Sequence, residues 1–138
     1  AKDVVDVQVT VAYLDDPRVD AGFARLGAEP TGIVADHVPP GDVDGEAAWR
    51  KRYFRAPDPW RPTHLHVREL GLPNQRYALL FRDFLRADPA AAEAYGRVKT
   101  ALAAQHPDDR EAYYAVKDPV CDLIIGAAER WARETGWA

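Results

Sequence analysis

The residues best suited to chemistry in this 138-residue chain are histidines, acids and guanidinium groups gathered in two short extended stretches. His64-Leu65-His66-Val67-Arg68 alternates polar and apolar residues. Residues two apart on a strand project to the same side, about 6.5 to 7 Å apart, so His64, His66 and Arg68 share a face. Asp6-Val7-Gln8 does the same with an acid and an amide. If the two strands lie side by side, Asp6, Gln8, His64 and His66 border one cleft. Lys51 and Arg52 are adjacent, so only one can join them. We expect Arg52, because Trp49, Tyr53 and Arg55 share the side of Lys51 and read as an aromatic row. Such a group can grip phosphate oxygens through Arg52, hydrogen-bond a ligand through His64 and His66, and anchor a cation at Asp6. It can equally be an Asp–His–Arg network that satisfies only itself. A His-x-His pair with Asp6 has adequate ligand types for zinc, but that spacing is common on strands, and we set zinc aside.

The elements that must hold these groups are legible in the pattern. Val5, Val7, Val9 and Val11 line one face of a strand. Asp15-Asp16-Pro17 caps a short helix carrying Val19, Phe23 and Leu26 and ending at Gly27. Residues 28 to 48 read as a weak strand around Ile33 and a loop, where His37 could cap the cleft. Trp49 to Arg55 and Thr63 to Arg68 read as an antiparallel hairpin, joined by turn chemistry at Ala56-Pro57-Asp58-Pro59-Trp60. After Gly71 the periodicity becomes helical. One helix follows Pro73, with Tyr77, Leu80, Phe81 and Phe84 on its apolar stripe. A second opens at Asp88-Pro89, a third runs from Asp109 to Lys117, and a fourth opens at Asp118-Pro119 with Leu123 among its inward residues. Strands first and helices afterwards predict an α+β fold.

Composition narrows the function classes. No serine is present, so a serine nucleophile is excluded. The single cysteine, Cys121, sits in an apolar helical pattern and reads as buried filler in a cytoplasmic protein. No apolar run approaches membrane-spanning length. The net charge of −4 argues against nucleic acid as a partner. From Arg50 to Arg68, however, six basic residues face one acid, Asp58, which makes a local anion-attracting strip. Arg82 and Arg86, with Asp83 between them, lie on the polar side of the helix after Pro73. Arg82 either extends the basic rim of the cleft or pairs with Asp83 in solvent.

An ordered series of motifs resembles the GrpB family. It comprises Val4-Val5-Asp6-Val7, Trp49-Arg50-Lys51-Arg52-Tyr53-Phe54, His64-Leu65-His66-Val67, Leu79-Leu80-Phe81-Arg82-Asp83-Phe84-Leu85-Arg86, Tyr95 with Lys99, Lys117-Asp118-Pro119, and Trp131. The resemblance spans essentially the whole chain, read as one domain over residues 1 to 138. It implies a nucleotidyltransferase-like fold with a mostly antiparallel N-terminal sheet and a helical C-terminal half. Such domains occur alone or fused behind dephospho-CoA kinase. The chain starts without Met and without the family's Gly-Ser stretch, so we expect a domain truncated on its N-terminal side, covalently preceded by a kinase of coenzyme A biosynthesis. The superfamily's paired metal acids stand here as Asp6 and Gln8, and an amide is a far poorer magnesium ligand than a carboxylate. The resemblance therefore implies an accessory domain with a polar cleft for a nucleotide or other phosphate-bearing small molecule, with Mg2+ as the expected cation at Asp6. The alternative is a free-standing metal-dependent nucleotidyltransferase. A third reading is a helical module that binds a protein partner.

Overall fold

Four strands and four helices, one helix fewer than the periodicity suggests, make up the fold in a computed structural model that describes residues 4–57 and 61–138. The strands are β1 (Val5–Val11), β2 (Glu29–Pro30), β3 (Arg52–Arg55) and β4 (Thr63–Glu69). The helices are α1 (Pro17–Arg25), α2 (Pro73–Ala87), α3 (Pro89–Gln105) and α4 (Arg110–Thr135). The described residues divide into two compact units, one ending at Arg76 and one running from Tyr77 to Ala138. This is the expected α+β class. Among the described residues no helix is long and apolar enough to cross a membrane.

In the first unit the sheet order is β1-β4-β3-β2. β4 and β3 form the expected antiparallel hairpin, closed by the Ala56 amide donating to the Thr63 carbonyl at 3.0 Å. Of the turn expected to join them, Asp58, Pro59 and Trp60 lie outside the described residues. β1 runs parallel to β4, with Asp6 opposite His64 and Gln8 opposite His66. A parallel partner needs a long crossover; α1, β2 and the hairpin's first strand lie within it.

One face of this sheet is an apolar core. Leu65, Val67 and Phe54 bury themselves with Leu14, Val19 and Ala28, while Val9, Val11 and Phe23 fill the margins. Phe23 of α1 stacks on Phe54 with centroids 4.4 Å apart. Burying each such side chain contributes about 1.5–3 kcal/mol, enough to decide which face of each strand turns inward. α1 is held in place by its sequence-evident cap: the Asp16 carboxylate accepts from the Arg18 amide, Pro17 opens the helix, and Gly27 turns the chain away at φ 72°.

Two expectations in this unit need correction. The strand anticipated around Ile33 sits earlier, at Glu29–Pro30, and Ile33 is exposed. The strand anticipated from Trp49 begins only at Arg52, because Glu46–Trp49 forms a 3-10 turn that buries the Trp49 side chain.

The second unit is helical. Leu80 and Phe84 of α2 pack with Ile125, Ala128 and Ala132 of α4, and Tyr77, Phe81, Leu85, Ala91 and Trp131 complete the cluster. Asp88 caps α3 by accepting from the Ala91 amide. The two helices expected either side of Asp118-Pro119 are one, Arg110–Thr135, capped by Asp109 and ended by Gly136 at φ 69°. Proline forfeits one backbone hydrogen bond, yet the buried stripe Cys121, Ile125, Ala128 and Ala132 carries the helix beyond it. That stripe leaves Leu123 exposed, not inward as its apolar character suggested. Cys121 is buried, as its surroundings predicted.

Candidate functional site

The opposite face of the sheet from Phe54 is polar, and two strand registers assemble it. Parallel pairing sets Asp6 beside His64 and Gln8 beside His66. Antiparallel pairing sets Tyr53 opposite His66. The Asp6 Oδ1 atom lies 3.2 Å from His64 Nδ1 and 3.4 Å from His66 Nε2. Tyr53 stacks on the His66 ring at 4.8 Å between centroids and meets His64 edge-on at 5.3 Å, so both imidazoles are held by an aromatic wall. The hydrogen bond from His66 lowers the Asp6 carboxyl below its ordinary range, against partial burial, with the charges of both histidines helping.

Behind this group lies an acid that the sequence did not single out. Asp36 is pinned at the entrance to β3, where its amide donates to the Trp49 carbonyl at 2.9 Å and the Lys51 amide donates to the Val34 carbonyl at 2.7 Å. Its carboxylate receives Arg68 through Nε and Nη2 at 2.8 and 3.0 Å, Lys51 Nζ at 2.6 Å, and Asn74 Nδ2 at 3.1 Å. Lys51, Arg68 and Asn74 are all at least nine-tenths buried. Burial pushes the Asp36 carboxyl up, but the hydrogen bonds and charge of Arg68, with those of Lys51, outweigh it and hold the group at about 2. Lys51 Nζ also lies 3.4 Å from His66 Nδ1, joining the two groups into one network.

Gln8 uses both ends of its amide. Its Oε1 accepts from Arg68 Nη1 at 2.7 Å and its Nε2 donates to the Gln75 carbonyl at 3.2 Å. Arg68 can only donate and a carbonyl can only accept, so the amide orientation is fixed.

The structure thus brings Asp6, Gln8, His64 and His66 together and adds Asp36, Lys51, Tyr53, Arg68 and Asn74. It does not bring Arg52. Phe54 must join Leu65 and Val67 in the core, and Arg52, two residues earlier, follows it to that side. There its guanidinium pairs with Asp20 of α1 at 3.3 Å. The expectation that Arg52 turned into the polar cleft is corrected: Lys51 takes that place. An exposed ion pair of this kind is worth under about 1 kcal/mol. Arg52→Ala is therefore expected to shift the urea midpoint little, and a loss well above that would place Arg52 in a structural role. Arg82 belongs to the helical unit, where its guanidinium donates to both Asp83 oxygens at 2.7 and 3.0 Å.

The basic strip from Arg50 to Arg68 is largely balanced by acids distant in sequence. Arg50 meets Asp15 at 2.9 Å and Glu69 at 3.2 Å, Arg52 meets Asp20, and Lys51 and Arg68 meet Asp36. The sequence signal for Asp36 was faint. It lies in a Pro- and Gly-rich stretch without periodicity, beside the more conspicuous His37.

Comparison with known proteins agrees with this architecture. Residues 1–126 match the family described as GrpB protein. A dephospho-CoA kinase of Mycolicibacterium paratuberculosis is 40% identical, over 99% of this chain and 36% of its own length. The dephospho-CoA kinase of Mycobacterium tuberculosis is 37% identical over the same shares. The chain thus spans about a third of the length of these curated relatives. The crystal structure of conserved protein GrpB from Enterococcus faecalis superposes with a TM-score of 0.67 at 30% identity, covering 95% of this chain and 73% of that one. The chain belongs to the GrpB family.

Proposed function

We propose that this chain is the GrpB portion of a dephospho-CoA kinase acting in the cytoplasm, where it supports the folding or regulation of a covalently linked kinase portion rather than performing the phosphoryl transfer. The observation that carries this reading is the end-to-end match to about a third of proteins named dephospho-CoA kinase. The polar face supports the non-catalytic part. Two-metal phosphoryl transfer needs clustered anionic oxygens. Here the neighbour of Asp6 on that face of β1 is Gln8, whose amide is occupied at both ends. Lys51 and Arg68 are committed to Asp36, so this face is a tuned polar surface rather than a loose cationic trap. Its solvent-reaching groups, Asp6, His64 and His66, are where a nucleotide or phosphate-bearing small molecule would be recognised.

The test compares the full-length kinase with a version lacking this segment. Removal is expected to lower soluble yield severalfold and leave kcat per folded molecule nearly unchanged. Equal yield together with equal activity would sink the proposal. The match to most of the Enterococcus faecalis GrpB chain favours a second reading, in which the fold is a free-standing nucleotidyltransferase using Mg2+ at Asp6. Magnesium-dependent transfer from a nucleoside triphosphate, abolished by Asp6→Asn, would replace the accessory reading with this one.

A further inference from the structure

Magnesium prefers six oxygen donors in near-octahedral geometry. The ligating atoms grouped with the Asp6 carboxylate are not further carboxylates but the ring nitrogens of His64 and His66, and Gln8 is engaged at both ends of its amide. Two imidazoles and one carboxylate suit a different class of ion. We propose that Asp6, His64 and His66 form a binding site for a divalent transition metal of the zinc and cobalt class.

The distances carry this. Bonds of about 2.0–2.1 Å at tetrahedral angles separate neighbouring donor atoms by roughly 3.3 Å. Asp6 Oδ1 lies 3.2 Å from His64 Nδ1 and 3.4 Å from His66 Nε2. One ligand atom from each of the three residues lies within 4.8 Å of the other two, so a modest approach of the imidazoles completes the triangle. Among the described residues this is the one such grouping of three. The side chains are set before any ion arrives: the β1–β4 register places Asp6 beside His64, and the Tyr53 ring fixes the plane of His66. Asp6 keeps 67% of its side-chain exposure and His64 33%, so an ion has an open path and retains positions for water or another oxygen donor.

Lys51 limits the affinity. A metal on His66 Nε2 leaves the ring proton on Nδ1, 3.4 Å from an ammonium that Asp36 holds in place at 2.6 Å. Two donors then face each other, so removing the charge of Lys51 favours the ligating tautomer.

The experiment uses the whole chain stripped with a chelator, titrated with Co2+ and followed by its visible absorption. One Co2+ per chain is expected, displaced by Zn2+ and not by millimolar Mg2+. His64→Asn and His66→Asn should each weaken binding at least about tenfold, while Lys51→Met should tighten it. A control with His37→Asn and His106→Asn should bind as the parent does. Melting curves establish that each variant is folded; should His66→Asn or Lys51→Met fail to fold, the more exposed His64→Asn decides. A Co2+ spectrum that survives His64→Asn, disappears with the two control histidines, or yields to Mg2+ overturns the assignment. The inference is independent of the kinase reading, because it concerns only ion binding by this chain.

Discussion

Asp36→Asn is expected to destabilise the protein by about 3–5 kcal/mol, since it leaves Lys51 and Arg68 as buried cations without a counter-charge. A domain of this size typically has about 5–15 kcal/mol in total, so the variant should sit near its folding threshold. Urea unfolding at neutral pH measures the loss. A cost below about 1 kcal/mol would show that the three groups are better solvated than their burial implies. The same residue sets an acid limit for the parent protein. Its carboxyl is depressed from 3.8 to about 2, so its contribution is fully present above the upper value and is lost as pH falls towards the lower. That shift corresponds to about 2 kcal/mol. The loss in Asp36→Asn is larger because the amide nitrogen turns two hydrogens towards Lys51 or Arg68 and accepts nothing there, whereas a protonated carboxyl adds one hydrogen and keeps acceptor capacity on both oxygens. In the variant this part of the acid dependence should be absent.

Phe54→Ala is expected to cost about 3–5 kcal/mol through the cavity it opens. Phe54 is 2% exposed and stacks directly on Phe23 of α1. Beyond stability, this residue decides which neighbour enters the polar face, since its inward turn sends Arg52 to one side and Lys51 to the other. Unfolding free energies from urea titration should separate Phe54→Ala from Arg52→Ala by at least about 2 kcal/mol. Similar small losses in both would mean that the hairpin's face is not chosen by its core.

Much of the scaffold was legible because local rules were strong. The alternating valines of β1, the Asp-Pro caps at positions 16 and 88, and the hairpin strand Thr63–Glu69 all follow from short-range pattern. The convergence of Asp6 with His64 and His66 followed from strand alternation once the strands were set side by side. Where the reading failed, the deciding interaction was remote. Lys51 and Arg52 both fit an inward role, and only the packing of Phe54 against Leu65, Val67 and α1 separates them. Asp36 carries no period of its own; a single bridge between Ala35 and Arg50 fixes its place. Pro119 reads as a helix start by local preference, and the buried stripe of α4 overrides it.

The contacts of the amide at position 8 disfavour a second carboxylate beside Asp6. A glutamate there could still accept from Arg68, but its second oxygen would face the Gln75 carbonyl, acceptor against acceptor with no proton between them. Installing a second carboxylate beside Asp6 therefore asks for movement of the main chain at the start of α2, and not for one substitution alone. The sheet has been fitted around a neutral side chain.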